Sequence, residues 1–324
     1  MLVGKKQLVV FSMPLILGLA TYFVLMAYMA GDRIVYAELY QTCTGMSFFD
    51  GYACYVSAIA TFEPFYYLVM SAGYELNLSH NVLMSLANIF LLWAFLRFSV
   101  KNNVNIYFAV FTAITNYYFW TLVTELERLK FCIALFFWYQ SCSKPFIKLK
   151  FGPVLALLAH LQIAAIALPM LLFGPKPQRT VRERLSGYIR KDNQIFGLIF
   201  MFAFIFFVIY IQREIVLSKF LHYFILDKTD ISTIVLATAY FIFAVTLLPK
   251  TNRNIAVFTS IFICSLLIGG ARVNLMYFVA YYVISAPMPL SKNYGLLLLT
   301  FYYFIKTVYF LENLITTGRG YDVG

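Results

Sequence analysis

Four segments of the sequence place ionisable side chains within or beside long apolar runs, and three of these segments carry one each. Glu63 lies in TFEPFYYLVM, His160 in LALLAHLQIAAIAL and Arg272 in LLIGGARVNLMYF. A carboxylate or an imidazole can accept the proton of a hydroxyl group, and an arginine can grip a phosphate or a carboxylate at two points. These residue types are therefore candidates for acid–base chemistry on an anionic substrate.

The fourth segment, TELERLKFCIALFFW, concentrates charge where an aromatic run meets the next apolar run. Its charged residues are Glu125, Glu127, Arg128 and Lys130. We expect Arg128 at the start of a helix, where its guanidinium fork suits a phosphate or a carboxylate. Tyr277 follows Arg272 by five residues and is expected on the same helix, within about a turn and a half.

Each candidate also has a structural interpretation. Glu63 can simply start a helix, the charges around Arg128 and Arg272 can anchor helices at the membrane interface, and His160 can bridge two helices by a hydrogen bond. Placing such a side chain at the centre of a bilayer costs about 2.5–3.5 kcal/mol. The position of each residue in its helix and in the membrane therefore decides between the functional and the structural interpretation.

The composition assigns those elements to a membrane. Hydrophobic residues make up 62% of the 324 residues and charged residues only 12%, whereas an ordinary soluble domain has about 45–50% and 25%. Uncharged runs recur near 7–31, 81–96, 102–124, 131–143, 151–175, 195–212, 231–249, 254–271, 273–291 and 293–305. Runs of this length predict helices. We expect an all-α, polytopic integral membrane protein with about 10–12 transmembrane helices in one domain, residues 1–324, beginning with an uncleaved span whose N-terminus lies inside.

Two polar segments, 31–62 and 174–194, are the longest predicted loops. The second holds six basic and two acidic residues, which indicates a cytoplasmic loop on anionic headgroups or, as the less favoured reading, a clamp for a lipid phosphate. Lysines at 144, 148 and 150 also favour the inside, yet only one obvious span separates them from this loop. A re-entrant or paired-half-helix element near 44–77 or 151–173 would restore the parity.

Several classes of function lack their required residues. The net charge of +11 is explained by basic loops, so we expect no nucleic-acid partner. The five cysteines form no CxxC pair, and no histidine cluster or nucleotide-binding motif is present, so we expect neither a metal nor a cofactor. Cys43 and Cys54 share the first loop and can form a disulfide if that loop faces an oxidising compartment.

The order of these motifs resembles that of the EpsG-like polysaccharide polymerases of the Wzy class. The resemblance spans roughly residues 60 to 290 and rests on E-P before an apolar helix, R-L-K-F-C-I-A-L-F-F, a lysine-rich link, L-L-A-H, and G-A-R-V-N-L-M-Y-F followed by a proline. It implies a GT-C-like glycosyltransferase architecture in the bacterial inner membrane. It also implies metal-independent, inverting polymerisation of O-antigen or exopolysaccharide units on the periplasmic side.

The resemblance further implies substrates and roles. Donor and acceptor are undecaprenyl-diphosphate-linked oligosaccharides held beside membrane lipid, and a chain-length regulator is an expected partner. Arg128 and Arg272 would stabilise the leaving diphosphate, assisted by Lys130 or the basic loop, and Tyr277 would stack on sugar rings. The base would be Glu63 or His160, with Glu125 and Glu127 behind them.

Three other functions fit parts of the pattern. A flippase for lipid-linked oligosaccharides would also need membrane arginines, but such transporters have two related halves, which this sequence does not show. Another membrane glycosyltransferase or an O-antigen ligase is the second alternative, although a ligase needs a larger periplasmic loop. A purely structural membrane protein would leave the Glu, His and Arg set unexplained.

Overall fold

A computed structural model describes residues 2–59, 63–142, 231–268 and 270–319, together with a few isolated positions between 163 and 213. Every regular element in these residues is helical. The twelve α-helices are α1 Leu2–Ala27, α2 Asp32–Thr42, α3 Phe48–Ile59, α4 Pro64–Glu75, α5 His80–Lys101, α6 Ile106–Thr115, α7 Tyr117–Thr124, α8 Glu127–Ser141, α9 Ile231–Leu247, α10 Asn252–Ile268, α11 Gly270–Ser285 and α12 Tyr294–Thr317, with a 3-10 helix at Leu290–Lys292.

Three of these helices are long and apolar enough to cross a membrane: α1 over Lys6–Ala27, α5 and α12. The pair α6 and α7 makes a fourth if the two form one bent span. Two shorter apolar stretches lie in α9 and α11. The prediction of an α-helical membrane protein is therefore confirmed in this coarse form.

Polar caps explain where several helices begin and end. The Ser79 side chain accepts a hydrogen bond from the backbone of α5, and Asn105 does the same for α6. Asn116 has extended backbone angles and accepts from Tyr118 and Phe119. This cap divides the predicted run 102–124 into α6 and α7, which meet at a bend of 63°. The run 273–291 likewise ends early, at Ser285, because Pro287 and Pro289 follow.

Helix α1 runs antiparallel to α5. Gly18 packs so closely on Ile89 that a Cβ atom there would lie 2.1 Å from Ile89 Cγ1. One turn further along α1, Asn88 donates to Thr21 over 3.0 Å. Small residues permit this close approach of two membrane helices. The end of α1 and the start of α5 therefore lie at the same end of the bundle.

Helix α8 runs parallel to α5. At the first residues of both helices, His80 Nε2 lies 3.1 Å from Glu127 Oε2. At their last residues, Lys101 Nζ donates to the carbonyl oxygens of Ser141 and Cys142 over 3.0 and 2.9 Å. We call the first end, marked by His80 and Glu127, the site end, and the second, marked by Lys101, the lysine end.

The C-terminal helices extend the same arrangement. Met29, just after α1, donates its backbone N–H to the Gly318 carbonyl over 2.9 Å, which places the end of α12 at the site end. Asn293 donates to the Ser285 carbonyl over 3.1 Å, so the start of α12 and the end of α11 lie at the lysine end. Helix α11 consequently begins toward the site end.

Charges divide unequally between the two ends. All eight acidic residues in the described ranges lie on elements at the site end or close to it. They are Asp32, Glu38, Asp50, Glu63, Glu75, Glu125, Glu127 and Glu312. The lysine end carries exposed Lys6, Lys101, Lys250 and Lys292.

Helices α2, α3 and α4 occupy most of the segments 31–62 and 44–77. Along the chain they connect the end of α1 to the start of α5, and both of these termini lie at the site end. The predicted loop 31–62 is thus largely helical. The short helices α3 and α4, of twelve residues each, lie where one of the two paired-half-helix elements was expected.

Candidate functional site

A buried ion pair joins Glu63 and Arg128, which are 65 residues apart in the sequence. Arg128 Nη1 donates to Glu63 Oε2 over 2.6 Å. Arg128 is only 8% exposed and Glu63 only 3%. Charge-assisted hydrogen bonds of this length are among the stronger polar contacts in proteins. Two candidates from separate sequence motifs are thus in direct contact.

The local backbone explains why the Glu63 carboxylate is available to Arg128. Glu63 is the N-cap residue of α4, but its side chain makes no capping bond. Pro64 occupies the first position of the helix, where its missing N–H costs nothing. Arg128 is the second residue of α8, which confirms its expected place at a helix start.

Tyr36 on α2 is a second partner of the guanidinium group. Arg128 Nε donates to the Tyr36 hydroxyl over 2.6 Å, and the guanidinium carbon lies 5.6 Å from the centre of the ring. Burial raises the pKa of Tyr36 above its ordinary value and outweighs the opposing effect of Arg128. The hydroxyl therefore remains protonated and acts as a neutral acceptor.

A second buried carboxylate, Glu127, lies one residue before Arg128 and is fully buried. Its Oε2 atom accepts a hydrogen bond from the Tyr66 hydroxyl and lies 3.1 Å from His80 Nε2. The Tyr66 ring contacts the Tyr36 ring edge-on, with centroids 5.3 Å apart. The two polar networks are therefore neighbours separated by a pair of tyrosine rings.

Two further cations lie near Glu127. Arg33 donates to the Tyr28 carbonyl, and over 2.6 Å to Asn81 Oδ1. Lys130 is fully buried and donates to the Val123 carbonyl over 3.1 Å. Both interact electrostatically with Glu127. Paired charges of opposite sign offset much of the cost of burying this carboxylate.

Tyrosines surround both networks. Tyr55 and Tyr67 are buried, and neither hydroxyl has a hydrogen-bond partner within the part of the chain that the structure describes. Tyr55 lies 6.0 Å from Tyr66 and 5.7 Å from Tyr67, ring centre to ring centre. Such rings and hydroxyls suit sugars, which present apolar faces and hydrogen-bonding edges. We call the following set the site cluster: Tyr36, Tyr55, Glu63, Tyr66, Tyr67, His80, Glu127 and Arg128.

A disulfide bond lies beside the site cluster. Cys43 and Cys54, which the sequence allowed to pair, are bonded and connect the end of α2 to α3. Helix α2 carries Tyr36, and α3 carries Tyr55 and leads into Glu63. The bond therefore holds together the two helices that supply one side of the site cluster.

The remaining candidates fall in different places. Lys130 contributes a buried cation beside Glu127, and half-buried Glu125 packs its carboxyl group near Gly31. Arg272 is the third residue of α11 and so lies toward the site end, about 20 Å along the helix axis from Ser285. Tyr277 stacks on Tyr240 and Phe258 in the aromatic core, with ring centres 5.5 and 6.1 Å apart. Its environment is thus the core of α9–α11 and not the site cluster.

Several predictions fall wholly or almost wholly outside the described residues: His160 as a base, the basic loop 174–194, the apolar runs near 151–175 and 195–212, and the alternative re-entrant element near 151–173.

Sequence reasoning missed His80, Arg33 and the site tyrosines. His80 lies at the border of the uncharged run 81–96. The glutamate and arginine candidates were chosen because they occupy the same kind of position, so this signal could have identified His80 as well. The tyrosines gave no signal, since the chain contains 25 of them.

We compared the chain with known proteins. No protein-family model, curated protein or solved structure matches it.

Proposed function

We propose that this protein is a membrane glycosyltransferase of the kind that the EpsG-like, Wzy-class resemblance implies. It would join undecaprenyl-diphosphate-linked oligosaccharide units by inverting transfer without a metal. The observation that carries the proposal is the contact between Glu63 and Arg128 inside a tyrosine-rich cluster at one end of a membrane bundle. The finer parts of the proposal are a GT-C-like architecture and about 10–12 transmembrane helices in the whole chain.

The charge asymmetry supports one orientation of the site in the membrane. Basic residues favour the cytoplasmic side of a membrane, so the lysine end would lie in the cytoplasm. The site end, which carries the acidic residues and the Cys43–Cys54 disulfide, would then face an oxidising compartment such as the periplasm. Both observations support the same orientation in the bacterial inner membrane.

Arg128 is suited to stabilise the leaving group. As the bond between the sugar and the lipid diphosphate breaks, negative charge accumulates on the diphosphate oxygens, and a guanidinium group binds such oxygens in pairs. Glu63 occupies Nη1 in this structure, so an arriving diphosphate would compete with the carboxylate for that donor. Arg272, at the same end of the bundle on α11, would supply the second cation.

The acceptor sugar must lose a hydroxyl proton during the transfer. Within the site cluster, Glu63, Glu127 and His80 are the groups able to receive it. The hydroxyls of Tyr55 and Tyr67 have no hydrogen-bond partner among the described residues and would bind sugar oxygens. The apolar helix faces beside the site end would accommodate the two polyprenyl chains.

The test is the pattern of surface glycans in a deletion strain complemented with wild-type or variant protein. Wild type should restore a ladder of polymers, whereas Arg128→Ala and Glu63→Ala should leave single repeat units. Arg97→Ala is a matched control, because this arginine is exposed on α5 and lies over Trp93. Membrane levels of every variant are measured by immunoblot.

A ladder that persists in the deletion strain would contradict polymerisation. Loss of every repeat unit from the surface would instead move the function to transport, as in a flippase, or to ligation. If well-expressed Arg128→Ala retained the ladder, the assignment of the site to Arg128 and Glu63 would be contradicted, whereas the proposed polymerase activity would not.

A further inference from the structure

The proposed function leaves Glu63, Glu127 and His80 as three groups able to receive the acceptor proton, and the contact between His80 and Glu127 distinguishes among them. Resting on that function, we propose that His80 is the general base that takes the proton from the acceptor hydroxyl, with Glu127 as its positioning residue. His80 begins α5, Glu127 begins α8, and Nε2 of the imidazole lies 3.1 Å from the carboxylate.

Hydrogen bonding fixes which imidazole nitrogen can accept a proton. Glu127 Oε2 also accepts a hydrogen bond from Tyr66, so it presents an acceptor and not a donor to the histidine. A neutral imidazole beside such an acceptor carries its hydrogen on Nε2 and an unshared electron pair on Nδ1. Nδ1 is then the basic atom, and the carboxylate stabilises the positive charge that protonation creates.

The unpaired atoms of the two side chains indicate what kind of group Nδ1 would bind. Among the described residues, Nδ1 of His80 and Oε1 of Glu127 are buried and have no hydrogen-bond partner. Buried polar atoms in native proteins are almost always paired with protein or water. The group that would satisfy Nδ1 is a hydrogen-bond donor, and a sugar hydroxyl is such a donor.

Charged and titratable groups from three helices surround the pair. Arg33 and Tyr40 come from α2, Tyr66 from α4 and Lys130 from α8. Both cations interact electrostatically with Glu127. The Tyr40 ring lies 5.3 Å from the imidazole, centre to centre.

The division of labour between the carboxylates follows from their partners. Glu63 Oε2 already accepts a hydrogen bond from the guanidinium group of Arg128, so this oxygen is less available to receive a proton. The Glu127 carboxylate contacts Nε2 of the His80 imidazole, and through the ring its negative charge also acts on the second nitrogen, Nδ1. Glu63 is thereby suited to hold Arg128, and Glu127 to hold the base.

Proton transfer accompanies the formation of the glycosidic bond. The acceptor hydroxyl gives its proton to His80 Nδ1 while its oxygen forms a bond to the anomeric carbon of the donor sugar. The bond from that carbon to the diphosphate oxygen breaks, and its electron pair leaves with the lipid diphosphate. The imidazolium ion afterwards returns its proton to water.

The experiment measures the rate of glycan elongation in membrane vesicles from the complemented deletion strain, which contain the cell's own lipid-linked repeat units. Wild type, His80→Gln, Glu127→Gln and Arg97→Gln are compared over a range of pH. Arg97→Gln is the matched control, since this arginine is exposed on α5 over Trp93 and lies outside the site cluster. Vesicle protein levels are equalised by immunoblot.

We expect His80→Gln to slow elongation at least about 100-fold at neutral pH. The wild-type rate should fall as the pH is lowered, because a protonated imidazole has no electron pair to give, and this fall should be absent in His80→Gln. Glu127→Gln should reduce the rate and alter the pH profile, whereas Arg97→Gln should keep the rate and the profile of wild type.

A His80→Gln rate within a few fold of wild type, or a variant that retains the wild-type fall at low pH, would overturn the assignment of the base. In both cases wild-type vesicles still elongate glycans, and the proposed function stands. Wild-type vesicles that do not elongate glycans at all would overturn the proposed function itself and the base with it.

Discussion

The two ends of the bundle differ in the burial of their charged side chains and in the partners that these side chains have. At the site end, Glu63, Glu127, Arg128 and Lys130 are buried and bound to one another or to neighbouring groups. At the lysine end, the lysines at 101, 250 and 292 are exposed. Exposed cations need only water and headgroups, whereas buried charges depend on partners supplied by other helices.

This difference separates orientation from chemistry. The lysine end can fix which way the chain sits in the membrane without any tertiary contact. The site end has to be assembled from α2, α4, α5 and α8 before its charges are tolerable. Substitutions at the two ends should therefore differ in kind and in size.

The largest expected contrast is the side of the membrane on which each end is found. Glu75→Cys and Lys292→Cys introduce thiols at exposed positions at opposite ends. A membrane-impermeant maleimide should label the first variant in intact cells and the second only after the membrane is opened. The parent chain is the control for its own thiols. Labelling of both from the same side would break the comparison.

Next in size is the loss of Arg128. Arg128→Met should lower the free energy of unfolding by about 3–5 kcal/mol, because the Glu63 carboxylate stays buried without its guanidinium partner. The double variant with Glu63→Gln should recover much of that loss. Denaturant unfolding in detergent measures both, with Arg97→Met as the exposed control. Equal losses in the single and double variants would show that the pair is not coupled.

The disulfide should have a somewhat smaller effect. Replacing Cys43 and Cys54 by serine should cost about 2–3 kcal/mol, because a cross-link over 11 residues restricts the unfolded chain. Cys264→Ser, at a free thiol, is the control. In denatured wild type, alkylation before reduction should reach three of the five cysteines. Alkylation of all five would mean that the bond does not form in the cell.

Two tyrosines on α2 give a finer comparison within the site end. Tyr36→Phe removes a hydrogen bond from a charged donor and should cost about 1.5–3 kcal/mol. Tyr40→Phe removes a neutral bond to the Leu78 carbonyl, 2.8 Å long, and should cost about 0.5–1.5 kcal/mol. The same unfolding assay ranks them. A larger loss for Tyr40→Phe would mean that Arg128 does not depend on the tyrosine.

The smallest effect is expected at the lysine end. Lys101→Met removes the side chain that binds the last carbonyl groups of α8 and should cost about 0.3–1 kcal/mol, since the lysine is largely solvated. Glycan ladders should be unchanged. A loss of ladder comparable to that of Arg128→Ala would show that the lysine end takes part in the chemistry.

Much of the helical framework could be predicted from the sequence. The uncharged runs at 81–96 and 231–249 correspond to α5 and α9, and Arg128 begins its helix as expected. The division of 102–124 at Asn116 was not predicted, because a run of apolar residues does not reveal a polar residue that caps a new helix. Pairing of the first-loop cysteines was allowed by their positions but required an actual approach of α2 to α3.

The sequence by itself determined that this is a helical membrane protein, and it placed Glu63 and Arg128 among the charges that need an explanation. Both conclusions follow from hydropathy, which depends only on local composition. Only the tertiary structure decided that these two residues meet, that His80 lies against Glu127, and that Tyr277 belongs to the core. Contacts between side chains 47 or 65 residues apart depend on the direction and rotation of whole helices, and no local pattern encodes them.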